Sequence, residues 1–178
     1  MALKATILKA ELNIADMDRG YYADHVLTLA QHPSENDERL MLRLCAYALY
    51  AHEYLAFTKG LSDPDEPDLW QKDLTGAIDL WIDMGQPDEK RVLKACGRSG
   101  QVVVLCYGNA AGPWWDGIEA KLERARNLSV RRFVVAPGDS TLASLVQRNM
   151  TLQCTVQDGQ LWLSQGDRSV QVDCLTLR

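Results

Sequence analysis

Apolar positions alternate with polar ones at Thr6, Leu8, Ala10, Leu12 and Ile14, and again at Val26, Thr28 and Ala30. The chain therefore opens on two long strands, joined through the polar, glycine-containing stretch Ala15 to Gly20. His32-Pro33-Ser34 ends the second strand. Ser34 is placed to cap a helix, with Glu35, Asp37 and Glu38 in its first turn, where acids complement the macrodipole. The helical period runs to about Thr58, and Gly60 is the natural stop. Beyond the proline-broken stretch Leu61 to Pro67 come two short strands around Thr75-Gly76, a helix opened by Pro87, and the continuous apolar strand Val102 to Tyr107. A helix from about Pro113 to Asn127, a strand at Val130 to Ala136 and a short helix near Thr141 to Gln147 extend this α/β pattern. The chain closes with β structure: Met150 to Gln157 and Gln160 to Ser164 flank Asp158-Gly159, a type I′ hairpin signal, and Gln165 to Arg168 turns into a last strand through Leu175.

At 178 residues the chain suits a single domain over 1–178. The five cysteines lie far apart, with neither C-x-x-C spacing nor nearby histidines, and read as reduced core residues of a cytoplasmic protein. The N-terminal stretch from Met1 to Asp18 carries charges every few positions and builds neither a signal-peptide core nor the run of about 20 apolar residues that spans a bilayer. Charge changes the picture more. The net −5 is made of −10 over residues 1–89, +6 over 90–132 and −1 over 133–178. Only the middle, with Lys90, Arg91, Lys94, Arg98, Lys121, Arg124, Arg126, Arg131 and Arg132, is suited to facing a polyanion, and the same residues also describe ordinary solvated helix faces.

Within the first helix Leu42, Ala46, Leu49, Glu53 and Ala56 share one stripe, which turns the Glu53 carboxylate toward the core side and makes it a candidate for pairing or cation binding; the alternative is a marginal residue reaching solvent. His25 and His52 lack ligand spacing and read as structural or surface residues. In the second central strand Ile78, Leu80, Ile82 and Met84 form an apolar face, while Asp79, Trp81, Asp83 and Gly85 share the non-core face. Asp79 and Asp83 lie about 13 Å apart along a straight strand, too far to hold one metal ion together. A two-residue turn at Thr75-Gly76 sets Lys72 opposite Asp79, Trp70 opposite Trp81 and Asp68 opposite Asp83, and the last pair of carboxylates calls for a cation. Arg91, Lys94 and Arg98 then recur at three and four on the next helix, beside the acidic strand end. Carboxylates that hold Mg²⁺ and a lysine that orients water are what metal-assisted phosphodiester cleavage needs, although an ordinary surface helix carries the same basic residues. The acids of Asp63-Pro64-Asp65-Glu66-Pro67-Asp68 lack the glycine and distal glutamate of a calcium loop and read as a solvated acidic loop. Trp114 and Trp115 offer base stacking or core packing.

The run from Ile78 to Arg91, IDLWIDMGQPDEKR, with Lys94-Ala95, Trp114-Trp115 and the late Asn149-Met150-Thr151-Leu152-Gln153, resembles the YaeQ family of bacterial proteins over essentially the whole chain. The resemblance implies an α+β or α/β fold: a compact PD-(D/E)XK restriction-endonuclease-like core with additional N- and C-terminal β-strands. That core would comprise the helix carrying Glu53, the strands through Trp70 and Ile82, the helix from Pro87 and the strand Val102 to Tyr107. The chain departs from the usual signature at Gly85, where a lysine belongs, leaving Lys94 or Lys90 to replace it. The resulting expectation is a Mg²⁺-dependent phosphodiesterase acting on nucleic acid. Asp83, Asp79, Lys94, Lys90 and Glu53 would be catalytic, Asp83, Asp68 and Asp79 would hold the metal, and Arg91, Arg98, Arg124 and Arg131 would bind nucleic acid. The alternative is a non-catalytic nucleic-acid- or protein-interaction module, which Gly85 favours.

Overall fold

A computed structural model describes residues 4–178. Met1 to Leu3, part of the N-terminal segment assessed for export, lie outside the described residues. In chain order the elements are β1 (Thr6–Asp16), β2 (Tyr21–Gln31), α1 (Asp37–Tyr50), β3 (Leu55–Phe57), β4 (Leu69–Lys72), β5 (Ile78–Met84), α2 (Glu89–Arg98), β6 (Ser99–Tyr107), α3 (Ala111–Ile118), β7 (Leu128–Val135), β8 (Asn149–Gln157), β9 (Gln160–Gln165) and β10 (Arg168–Thr176), with short 3-10 turns between some of them. They fall into two compact units, one of Met1–Ala51 with Val135–Cys174, the other of His52–Val134 with Leu175–Arg178.

In the first unit the strand order is β2-β1-β8-β9-β10, antiparallel except for the parallel pair β1–β8. The alternation that marks β1 is a burial pattern: Leu8, Ala10, Leu12 and Ile14 are buried. In β2 the buried residues are Leu27 and Leu29, whereas Val26 is 80% exposed and Thr28 and Ala30 are also exposed, so the phase expected for this strand is shifted by one. Asp158 and Gly159 have φ of 53° and 73°, the two positive values a type I′ hairpin requires. The apolar face is covered by α1, buried from Leu40 to Leu49.

The ends of α1 differ from the expected ones for local reasons. Asn36, not Ser34, is the N-cap, its side chain accepting from the Arg39 N–H. Glu35 stands before the helix, buried, with its carboxylate held by Arg43 and Arg39. At the other end the helix stops at Tyr50, well short of Thr58. The Arg19 guanidinium donates to the carbonyls of Ala48 and Ala51 at 3.1 Å each while its Nε pairs with the buried Asp16 at 2.7 Å. A cation from the β1–β2 turn thus closes a helix whose last turn has no basic residue of its own.

The second unit has the order β7-β6-β5-β4-β3, with β5, β6 and β7 parallel and β3–β4–β5 antiparallel. Two crossovers, through α2 and α3, cover one face of the parallel strands. Their core joins Trp81, Val102, Val104, Cys106, Trp115 and Val130, among others. The α3 region is shorter than expected, ending as a helix at Ile118 and continuing as a 3-10 turn from Glu119 to Leu122.

The expected compact restriction-endonuclease-like core is overturned. Among the described residues strands make up 44% against 24% helix, 3-10 turns included. The segments read as accessory N- and C-terminal strands make up the run β2-β1-β8-β9-β10 of the first unit, with α1 packed on its apolar face, and the helix meant to carry Glu53 ends before reaching it.

Candidate functional site

The acids and bases singled out in the second unit do converge, around Arg91. Its position follows from α2, which starts at the N-cap Asp88, whose side chain accepts from the Arg91 N–H at 2.8 Å. From the first turn the Arg91 side chain reaches back to β5. There its Nε and NH2 donate to the two oxygens of Asp83, each at 2.9 Å. The same guanidinium donates to the carbonyls of Pro64 and Glu66. Asp83 is only 2% exposed, so the fork holds a carboxylate that has no other access to solvent. The hydrogen bonds from Arg91 to Asp83 push the arginine pKa up from its ordinary value, while burial opposes them.

Asp68 lies beside this pair, itself 5% exposed, with its Oδ2 accepting the Met84 N–H at 2.8 Å and its own N–H donating to Ile82. The strand register places Leu69 opposite Ile82 and Trp70 opposite Trp81, as expected, but Lys72 pairs with Ile78 instead of Asp79 because a bulge intervenes at Gln71/Lys72. The turn explains the slip. Asp73 bonds both to Gly76 and to Ala77, and Gly76 has φ of +88°, so the connection is a three-residue loop with a glycine bulge and not a two-residue turn.

The remaining residues are scattered. Asp79 is exposed, and its carbonyl lies 3.1 Å from where a Cβ on Gly100 would stand. Glu53 is exposed in the turn between α1 and β3. Lys94 pairs with Asp65 at 3.0 Å, a contact that holds the Asp65 carboxyl below the usual carboxylate range, and Arg98 donates to the Asp65 carbonyl. Lys90, Arg124 and Arg126 are exposed, and Arg131 is half-buried on β7. The α2 face read as a polyanion surface therefore bonds the acidic loop of residues 63–68 through Arg91, Lys94 and Arg98, with Lys94 and Arg98 still exposed. Trp81, expected on a solvent face, is 2% exposed beneath the guanidiniums of Arg91 and Arg98, and Trp115 is core while Trp114 donates to the Pro87 carbonyl.

A Mg²⁺ ion fits these residues poorly. Both oxygens of Asp83 face the arginine fork, and among the described residues no three His, Cys, Asp or Glu side chains are grouped to hold a metal ion. A cation at Asp83 would have to expel a guanidinium that also ties down the 63–68 loop.

A family profile described as YaeQ protein matches residues 1–174. The chain belongs to the YaeQ family. It is 47% identical over 174 residues to the "Uncharacterized protein YaeQ" of Salmonella typhi, covering 97% of this chain and 95% of that one. It is 45% identical to the protein of the same description from Escherichia coli K12, covering 97% and 96%. Among solved structures it is similar to the YaeQ protein from Xanthomonas axonopodis pv. citri, with a TM-score of 0.90 and 50% identity over 98% of both chains. The YaeQ protein from Pseudomonas syringae gives 0.88 and 33% over 98% and 96%. In this YaeQ family member the family stretch from Ile78 to Arg91 contains both halves of the Asp83–Arg91 pair. Sequence reasoning assigned Arg91 to nucleic acid and missed the pair. The available signal was a buried strand-end acid eight residues before an arginine in the first turn of the following helix.

Proposed function

We propose that this chain works as a non-catalytic interaction module whose partner is a protein. The observation that supports this is the engagement of Asp83 by Arg91, which turns the best candidate metal ligand into one end of a structural clamp. The bonds of Arg91, Lys94 and Arg98 to the 63–68 loop set acids beside this helix face and so lower its pull on a phosphate backbone, which favours a protein over a nucleic acid.

A Mg²⁺-dependent phosphodiesterase keeps one observation on its side, the buried Asp68 next to Asp83. Calorimetric titration with Mn²⁺ and a cleavage panel of DNA and RNA separate the two. The module predicts equal metal heats for wild type and Asp83→Asn and no cleavage by either. Metal-dependent cleavage that disappears in a folded Asp83→Asn variant would refute it. Fluorescence anisotropy at low salt showing strong binding to DNA or RNA would shift the partner to nucleic acid.

A further inference from the structure

The solvent face of the first unit's sheet carries side chains whose order follows from the register. Tyr22 pairs with Ala15, Ala15 with Thr155, Thr155 with Trp162, and Trp162 with Gln171, so these five residues form one row across five strands. The neighbouring row is Asp24, Asn13, Gln153, Ser164 and Ser169. Paired residues share a face, and in both rows it is the one opposite Leu12, Ile14, Leu161 and Leu163, which are buried. Two aromatic rings thus stand three strand spacings apart, about 14 Å, with the small Ala15 and Thr155 as the floor between them.

Beside that aromatic row runs a row of carboxylate, amide and hydroxyl groups. Part of it is preorganised: Asn13 donates to Asp24 at 2.6 Å, and Ser164 donates to Ser169 at 2.9 Å. A shallow cavity of about 350 Å³ lies over this row and the next, lined among others by Glu11, Asn13, Asp24, Val26, Thr151 and Gln153. Tyr22 is 65% exposed, Trp162 is half-buried, and both stand outside that cavity, on the row beside it. Glu11, Asp24 and Asp173 against Lys9 leave this face acidic, which repels a phosphate or sulfate chain but accepts hydrogen bonds from hydroxyl groups.

We propose that this face binds a neutral oligosaccharide, its rings lying over Tyr22 and Trp162 and its hydroxyls bonded to Asp24, Asn13 and Gln153. Sugar rings present an apolar C–H face and an equatorial rim of hydroxyls, and the two rows supply a partner for each. Neutrality follows from the acidic surround, and a linear chain follows from the separation of the two rings. The site lies wholly within the first unit and stands whether or not the Asp83 reading does.

Isothermal titration of the full chain with oligosaccharides of β-1,4-linked glucose, β-1,4-linked N-acetylglucosamine and α-1,4-linked glucose tests it, with heparin as the polyanionic control. At least one neutral chain should bind, and Tyr22→Ala and Trp162→Phe should each weaken it about tenfold. Gln153→Ala, on an exposed side chain with no role in the core, should weaken binding without moving the thermal midpoint. No heat from any neutral chain at millimolar concentration, heparin binding as tight as the sugars, or sugar binding untouched by all three substitutions would each overturn the proposal.

Discussion

Replacing Arg91 by alanine removes the guanidinium bonded to a carboxylate that is 2% exposed, and leaves the carbonyls of Pro64 and Glu66 without their donor. Stranding a buried charge costs about 3–5 kcal/mol, and since the Arg91 side chain is itself 30% exposed the lower end applies, about 3 kcal/mol. Asp83→Asn keeps the shape and deletes the charge, costing about 2 kcal/mol through the loss of charge-assisted hydrogen bonds. The double variant Asp83→Asn/Arg91→Ala should be less destabilised than the sum of its parts by more than about 1 kcal/mol, since the second change removes a penalty that the first created. Urea denaturation followed by tryptophan fluorescence is well placed to measure this, because Trp70, Trp81, Trp114 and Trp115 all belong to the unit that holds the pair. The sign is diagnostic. Carboxylates gathered to hold a metal repel one another in its absence, so neutralising one of them by Asp83→Asn would stabilise the protein, whereas in a clamp it destabilises. A gain in stability for Asp83→Asn, or additivity in the double variant, would refute the clamp.

Arg19→Ala should cost about 2 kcal/mol, because it strands the buried Asp16 and uncaps α1; hydrogen exchange should quicken in the last turn of α1 first, and unchanged protection there would count against the cap. Gly100→Ala should cost about 1 kcal/mol by pressing a methyl group toward the Asp79 carbonyl, read from the urea midpoint; no shift would mean that the two strands separate freely. Burial pushes the His25 pKa below its ordinary 6.5 while Asp24 pulls the other way, and Tyr21 and Tyr47 bond its two nitrogens. The folded state therefore favours neutral imidazole, so His25 contributes stability that is present above 6.5 and lost as pH falls toward the lowered folded value; an NMR titration midpoint at or above 6.5 would contradict this. Burial raises the thiol pKa of Cys45 and takes that of Cys154 to about 12, so at pH 8 neither should react with a thiol reagent until urea unfolds the protein; rapid labelling of the native state at either would show the core to be open.

Strands were legible wherever one face is buried and the other is wet, as in β1, and wherever turn chemistry is specific, as at Asp158-Gly159. The Trp70–Trp81 and Leu69–Ile82 pairs match the expected register for a different reason: the three-residue loop shifts it by one and the bulge at Gln71/Lys72 shifts it back. Helix ends were not legible. The stripe through Leu49, Glu53 and Ala56 continues past Tyr50 at helical spacing, and the group that ends the helix, Arg19, lies far back in sequence. The two-unit organisation was hidden for a related reason: nothing in the local pattern says that β1 will pair with β8. At the candidate site, the expected register set Asp68 opposite Asp83, while Arg91 was assigned to nucleic acid and not to the carboxylate it bonds. Composition could not tell a carboxylate awaiting a cation from one already bonded to a guanidinium, since both readings use the same residues and differ only in where one side chain points.

The parallel pairing of β1 with β8 also sets an order of events during synthesis. The hairpin of β1 and β2 leaves the ribosome well before the strand that covers its inner edge, which follows the whole of residues 52–134. Its apolar face must therefore wait, shielded at best by α1, while the second unit gathers nearly all of its own chain. Such long-range closure is slow and exposes an unpaired edge to other nascent chains. Removal of β8 and β9 should therefore damage the β1–β2 hairpin more than the second unit, although the second unit is the nearer of the two in sequence.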